Sequence, residues 1–415
     1  MRLVTLFFLL LFFTYLSNSQ EITQVVRGQV TDADMGTPLQ GVKIKITSLN
    51  PVLGAISDKD GKFRIKNVPV GRHAVEVSSV GFEKLILRDQ LVISGKEYVL
   101  NIQLKESSIV TDEIVVTGNA NTINANNTLI TSSITNLQPE TINRYAGTRS
   151  DPAKMAATSA GVAGDNNQRN DIIIRGNSPI SVLWRVDEVD VPNPNHFTVA
   201  ATGGGIFAIL NNNLLSNCDF ITGAFPAEYG NSTSGVFDVH LRNGNNEIRE
   251  NTFQIGLNGI ELGTEGPFSK ESGASYLANF RFVSLRPLTE LGLDLSANVV
   301  PEYLDGTFKI NMPTSNIGTF TLWGIGGYSK ASVKNSDDDD IDWDLQEKVE
   351  DDAIRSRMFA LGFSHTYLFG DNTFGKLILA TTGSIINTNN EYVWENDSTM
   401  ETEDFDATEG KHQIK

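Results

Sequence analysis

The sequence predicts a mainly β protein in three parts. These are an N-terminal β-sandwich, a central segment of mixed α+β character, and a C-terminal set of amphipathic strands suited to an antiparallel transmembrane β-barrel. Three observations carry this reading. Apolar residues recur at a period of two, as in Val42, Ile44 and Ile46 against Lys43 and Lys45. Glycine (36) far outnumbers proline (13), which suits many strands joined by turns. After the first residues no apolar stretch is long enough to cross a bilayer as a helix.

Composition narrows the function. The 415 residues suffice for two or three domains, and 40% apolar with 20% charged residues excludes a wholly disordered chain. With 33 Lys+Arg against 50 Asp+Glu the net charge is −17. There is no basic cluster, which excludes a duplex nucleic-acid partner. A lone cysteine, Cys218, excludes an internal disulfide and any Cys-based zinc site and reads as a small buried hydrophobe.

Residues 1–19 read as a secretory signal peptide: Arg2, an apolar run too short to span a bilayer, then Ser17, Asn18 and Ser19 placing small residues at −3 and −1 of the cleavage point. No cysteine follows, so the signal is not of the lipoprotein type.

Residues 24–106 read as a small antiparallel sandwich of about seven strands. Asp58-Lys59-Asp60-Gly61 and Asn67-Val68-Pro69-Val70-Gly71 supply turns ahead of Phe63 and Ile65, and of Val75 and Val77. The Asp58/Asp60 pair lacks the remaining ligands of a calcium loop, and a tight turn is the better reading. Gly28-Gln29-Val30, Pro38-Leu39-Gln40-Gly41-Val42, Val68-Pro69-Val70-Gly71 and Val80-Gly81-Phe82, in that order, resemble the carboxypeptidase regulatory-like domain. The resemblance implies a transthyretin-like sandwich, an appendage without catalysis of its own.

Residues 111–118 follow, with Asp112, Glu113, Ile114, Val115, Val116 and Thr117 ahead of a loose Asn/Thr-rich stretch. A β-prone segment in polar chain can be donated to the edge of a partner's sheet; an ordinary strand closing the next domain fits equally. The segment is similar to the TonB box of TonB-dependent outer-membrane receptors. By that resemblance, Asp112–Thr117 contacts TonB, energised by ExbB and ExbD.

Residues 128–246 form the mixed segment. Asp151 as N-cap, Pro152 at the first helical position and Gly161 as a stop predict a short helix. Asp171-Ile172-Ile173-Ile174-Arg175-Gly176 reads as a buried strand ending in a turn. Val182-Leu183-Trp184-Arg185-Val186-Asp187-Glu188-Val189-Asp190-Val191 and the stretch from Gly223 through Glu228-Tyr229-Gly230 and Ser234-Gly235 to Val236–Leu241 complete an order that resembles the plug domain of the same receptors. One departure stands out: Asp187-Glu188 replaces the usual Asp-Gly, so the turn there is reshaped. The resemblance implies plug residues latched to barrel glutamates, with Arg175 the candidate by position and Arg242 the second; an exposed salt bridge of little energy is the competing reading for each. It also implies ligand contacts at the plug apex, for which Asn177, Asn195 and His196 are the candidates. An ordinary loop histidine competes for His196.

Residues 250–415 read as the opening strands of the barrel. Asn258-Gly259 predicts a type I′ hairpin that sets Leu257 against Ile260, Ile255 against Leu262 and Phe253 against Thr264, all on one face. Alternation continues through Tyr276–Phe282, Phe308–Met312, Phe320–Leu322 and Phe359–Phe363, finishing in Tyr367 and Phe369, as at a bilayer interface. Short connections at 267–273, 313–318 and 370–372 alternate with long ones at 286–301, 331–352 and around Asn387, the asymmetry of periplasmic turns and outer loops. The acidic run at 337–340 with Asp342 and Asp344 reads as a solvated loop. About seven strands fit, too few to enclose the preceding domain, so the chain is expected to be the opening part of a longer receptor.

Catalytic readings fail. The five histidines are scattered, residues 230–235 miss a nucleophile elbow, and no phosphate loop follows a strand. No catalytic residue, metal or cofactor is expected. The resemblance implies energy-coupled uptake of a scarce or bulky nutrient (iron chelate, cobalamin, glycan or peptide) by a protein in contact with outer-membrane lipid, its N-terminal domain periplasmic and a surface lipoprotein as a further partner. A surface-binding adhesin, which alternation alone would fit as a soluble sandwich, and a signal-transducing receptor are the alternatives.

Overall fold

The computed structural model of the chain describes residues 22–33, 35–107, 133–148, 150–164, 169–200, 202–256, 259–269, 271–284, 301–314, 316–333, 348–370, 373–394 and 399–415. The expected signal peptide, the Asp112–Thr117 segment and the acidic run at 337–340 lie outside the described residues. The chain divides into two compact units, Met1–Val116 and Thr117–Lys415.

The first unit is a two-sheet sandwich of eight strands. One sheet holds β1 (Thr23–Asp32), β4 (Lys62–Pro69), β7 (Tyr98–Val99) and β8 (Ile102–Leu104), and the other β2 (Lys43–Ile46), β3 (Leu53–Ile56), β5 (Gly71–Ser78) and β6 (Leu85–Val92). The period of two does what it promised: Ile44, Ile46, Val30, Val68 and Val77 are fully buried between the sheets while Lys43 and Lys45 face out. Each such apolar side chain withdrawn from water stabilises the sandwich by about 1.5–3 kcal/mol. The Asp58 carboxylate is consumed by its own turn, accepting from the Asp60 and Lys62 amides at 2.9 and 2.8 Å, with Gly61 at φ +72°.

The second unit begins with β9 (Ile134–Asn136), α1 (Pro139–Arg144) and α2 (Pro152–Ala156). Asp151 caps α2, accepting from the Ala153 amide at 2.8 Å. The helix stops sooner than Gly161, because the chain must turn into the short antiparallel pair β10 (Val162–Gly164) and β11 (Ile172–Ile174). Then come β12 (Val182–Val186), β13 (Val189–Val191), β14 (Asn195–His196), β15 (Phe207–Ala208), β16 (Leu215–Ile221) and β17 (Gly235–Leu241). The central sheet runs β13-β12-β17-β16-β9, with β12 and β17 parallel. Its core face stacks Trp184 on Phe237 at 4.0 Å with Phe220 beside them.

Eight further strands pair in sequence, each antiparallel to the next: β18 (Glu250–Gly256), β19 (Gly259–Pro267), β20 (Ser275–Ser284), β21 (Glu302–Pro313), β22 (Thr319–Val333), β23 (Lys348–Gly370), β24 (Thr373–Trp394) and β25 (Thr399–Ile414). Alternation gives this sheet two unlike faces. Phe253, Ile255, Leu262, Phe280, Phe359 and Leu361 lie exposed on one, Phe253 and Ile255 to more than two thirds. On the other, Trp323, Ile325 and Met358 are buried against the central domain among Glu265, Asp305, Lys309 and Ser329. An apolar surface turned outward and a polar, filled interior is the reverse of a soluble sandwich and the rule for a barrel in lipid.

Two expectations about this sheet are corrected. The first hairpin sets Ile255 against Ile260 and Phe253 against Leu262, with Gly256 opposite Gly259. Gly259 (φ +90°) therefore belongs to the ladder, where the Phe282 carbonyl would lie 2.2 Å from any Cβ, and the expected pairing of Leu257 lies outside the described residues. The slip is by two residues across the pair, so the shared face survives. The expected long loop around Asn387 is strand: β23 and β24 stay paired well past the apolar face, leaving only 395–398 between β24 and β25.

Candidate functional site

The charged contact between the central domain and the barrel wall begins at the turn between β12 and β13. Asp187 and Glu188 both take left-handed conformations, φ +43° and +67°, the geometry of a type I′ turn without its usual glycine. One Asp187 oxygen meets Lys309 Nζ of β21 at 2.8 Å, and the same ammonium donates to the Leu241 carbonyl at 2.7 Å. The other accepts from the Leu241 amide at 3.2 Å and lies 3.5 Å from His240 Nδ1. Glu188 pairs with Lys376 of β24. Asp190 takes Lys411 and Lys415 at 2.9 and 3.0 Å, and Gln413 bonds its backbone carbonyl. Val-Asp-Glu-Val-Asp-Val thus lays three carboxylates against inward lysines and an amide of three strands, β21, β24 and β25.

These neighbours set the charges. Burial pushes the Asp187 carboxyl up, but Lys309 and His240 outweigh it and hold it below the usual carboxylate range. For Glu188, burial is likewise overcome by Lys376, and for Asp190 by the bonds from Lys411 and Lys415. Burial opposes protonation of His240, yet Asp238 and then Asp187 raise it to about 8.

Elsewhere the polarity reverses, with wall carboxylates receiving donors. Arg242 grips Glu265 of β19 through two parallel bonds of 2.6 and 2.8 Å, and the Asn245 amide adds a third at 3.0 Å. Asn211 and the wall's own Asn279 both donate to Glu261 at 2.9 Å. Towards the end of the long connections, His196 Nε2 lies 3.0 Å from Asp305, which also binds Arg281, while Arg281 donates to the Ala208 carbonyl at 2.8 Å. The Phe197 amide donates to Ser329 at 2.9 Å, and Phe197, Phe207 and Tyr303 close an aromatic cluster over this end. Burial keeps His196 below its ordinary pKa, only partly offset by Asp305.

The sequence-derived candidates fall as follows. Arg242 lies against a barrel glutamate. Arg175 is exposed at φ +50° with its guanidinium beside Gly223, and pairs with no barrel carboxylate among the described residues. Asn195 and His196 are buried, their polar atoms taken by Asn170, Asn193 and Asp305, whereas Asn177 is exposed. Cys218 is buried in the central core, where burial pushes its thiol up. Sequence reasoning missed Asp187, Glu188, Asp190 and their lysines. The usable signal was parity: Lys309 and Lys411 occupy inward positions in otherwise alternating strands, where a charge needs a partner.

Residues 25–105 match the carboxypeptidase regulatory-like domain family. The TonB-dependent transporter Oar of Myxococcus xanthus is 24% identical over 257 residues, covering 60% of this chain and 23% of that protein. The chain therefore spans about a quarter of the length of this curated relative. Among solved structures, the siderophore receptor PirA of Acinetobacter baumannii aligns over 63% of this chain and 46% of its own, with 13% identity and a TM-score of 0.37. FpvA of Pseudomonas aeruginosa, bound to heterologous pyoverdines, aligns over 68% and 48%, with 8% identity and a TM-score of 0.36. Residues 25–105 are thus a carboxypeptidase regulatory-like domain, and the chain is similar over 257 residues to a TonB-dependent transporter.

Proposed function

We propose that the chain serves a bacterial outer-membrane receptor that takes up a scarce or bulky nutrient when TonB pulls on Asp112–Thr117. The observation that carries this reading is the two-faced sheet: an apolar exterior fit for lipid, and an interior occupied by a separate domain held through charges. The physics suits the task. An outer membrane has no nucleotide supply and sustains no proton gradient, so work must arrive mechanically. The ion pairs can be unfastened one by one, each re-solvated as it opens, whereas the apolar contact of Trp323, Ile325 and Met358 with the central core parts as a unit. The central sheet stays intact on its Trp184–Phe237 core while its rim lets go.

Iron chelates, cobalamin, glycans and peptides all remain within the proposed substrate class, with the N-terminal sandwich in the periplasm, ExbB and ExbD energising TonB, and a surface lipoprotein as a further partner. The test deletes residues 112–117 from the full-length gene. Ligand binding to whole cells is expected to persist while uptake falls to the level of a strain without TonB. Undiminished uptake by the deletion strain overturns the proposal.

A further inference from the structure

β16 and β17 are antiparallel neighbours, a connection that about two to five residues usually make, yet residues 222–234 stand between them. The excess folds back as a strap over one face of the central sheet, where Phe225 and the buried Tyr229 pack on Leu183, Ile221 and Val236. The Tyr229 hydroxyl donates to Asp238 at 2.7 Å, and the Arg185 guanidinium lies under its ring, 4.8 Å from carbon to centroid. Arg185 Nη1 also donates to Glu228 at 3.1 Å. One arginine of β12 and one aspartate of β17 thus hold the strap.

Arg185 has a further carboxylate within reach. Asp190 lies directly opposite it in the β12–β13 ladder, and Asp238 directly opposite on β17, so all three point to the face that the strap covers. Asp190 is engaged elsewhere: Lys411 and Lys415 of β25 take its two oxygens at 2.9 and 3.0 Å, and the strap's Asn231 adds a bond of 3.4 Å. Arg185 meanwhile uses only part of its fork. It is buried, and its Nε has no hydrogen-bond partner. A buried N–H without an acceptor is costly, and a carboxylate meeting the fork side-on gains two parallel bonds where Glu228 receives one.

We propose that Arg185 exchanges partners: Glu228 of the strap holds it while Asp190 is fastened to the wall, and it turns to Asp190 when Lys411 and Lys415 withdraw, loosening the strap. The proposal rests on the receptor reading above and adds a step to it. Stripped of both lysines, Asp190 is left an uncompensated charge beside a guanidinium on the adjoining strand. Its backbone is already fixed in the ladder. Glu228 sits on a loop and is 38% exposed, where a single charged bond gains little and ordering the side chain costs entropy. Once Arg185 turns away, the strap keeps the Tyr229–Asp238 bond and a small apolar contact alone. Unfastening at the wall thereby uncovers Leu183, Val236 and Asp238, a second opening coupled to the first.

The test uses the full chain in detergent and reads hydroxyl-radical oxidation of Tyr229 by mass spectrometry, with the buried Tyr303 and Trp323 reporting the intact fold. K411A/K415A frees Asp190 and is expected to raise Tyr229 oxidation roughly fivefold or more while both references hold, since local opening governs access to a buried ring. D190N/K411A/K415A is expected to return Tyr229 close to the parent level, because a neutral amide does not compete for the guanidinium. A strap loosened merely by lost packing would stay loose in the triple variant. E228Q changes the exposed strap, leaves the wall untouched and is expected to raise Tyr229 oxidation by itself. Protection of Tyr229 unchanged in K411A/K415A, no recovery in the triple variant, or no rise in E228Q each overturns the exchange. The footprint needs no transport, so it decides the exchange independently: undiminished uptake after deletion of residues 112–117 removes the transport reading alone.

Discussion

The Arg242–Glu265 contact offers the sharpest measurement of how the central domain is held. Glu265 is almost fully buried and accepts three bonds, two from the guanidinium and one from the Asn245 amide; Arg242 is 29% exposed. Breaking a buried pair by removing one partner costs about 3–5 kcal/mol, and a bond to a charged group about 1.5–3 kcal/mol. Because Arg242 reaches solvent, the lower range applies, and Arg242→Ala should destabilise the latched state by about 2–3 kcal/mol. It leaves Glu265 buried without the guanidinium, the Asn245 amide still donating to it. Glu265→Ala removes all three bonds and should cost a similar amount. Since either change already forfeits the pair, the double variant should cost less than the sum by about 1–2 kcal/mol. Hydrogen exchange of β17 amides in the detergent-held protein reads this directly. At a tenfold change per about 1.4 kcal/mol, Arg242→Ala should lower their protection roughly 30- to 150-fold. Additive single effects would show that the two side chains touch without holding, and the latch argument would fail.

Other outcomes follow from the same geometry. His240 is raised to about 8 from an ordinary value of 6.5, so its contribution is complete below about pH 6.5 and lost as pH climbs through 8; at about 1.4 kcal/mol per unit this is on the order of 2 kcal/mol, and β17 protection should fall across that window and flatten in His240→Gln. Asp187 works in the opposite sense, its contribution being lost as pH falls below the ordinary carboxylate range. Gly362→Ala would place a methyl 2.5 Å from the Trp323 indole, and should cost about 1–3 kcal/mol and shift Trp emission to the red. Asp187→Gly should cost at least about 2 kcal/mol in thermal unfolding, because Lys309 is left buried and unpaired. Glu188→Gly should change stability by no more than about 0.5 kcal/mol, since relief of the left-handed backbone offsets a half-exposed pair.

The fold was legible wherever period and punctuation agreed. Val42, Ile44 and Ile46 alternate with lysines and face the sandwich core as expected, and Asp151 caps its helix. Hairpin detail was less legible, because Asn258-Gly259 reads as a turn locally while the close approach of β20 draws Gly259 into the ladder. The long polar ends of β23 and β24 read as loop, since Asn and Glu are poor strand formers until a partner strand fixes them. The site was only partly legible for a related reason. A latch needs two sequence-distant residues, and one chain read in order supplies parity but not distance. Arg175 and Arg242 both follow buried strands, yet only Arg242 emerges at the wall.

The position where the local rule is broken is also where the contact is densest. A type I′ turn favours glycine in its second central place because a side chain there strains the backbone by about 1 kcal/mol. This chain keeps Glu188 there and Asp187 before it, and both carboxylates land on wall lysines, as does Asp190 two residues later. A sequence selected only for a stable turn would have discarded that strain. Its retention makes sense if the turn is a fastening: three carboxylates on a short rigid hairpin engage strands that are far apart in sequence, Lys309 on β21 and Lys376 on β24 among them, so that moving one hairpin disturbs several staves together. Lys309 also holds the Leu241 carbonyl at the end of β17, and the Arg242–Glu265 pair is the very next residue. Tension that reaches β17 therefore bears on both fastenings through adjacent backbone, and burial sets the order among the pairs at the hairpin itself: the half-exposed Glu188–Lys376 pair yields before the enclosed Asp187–Lys309 pair.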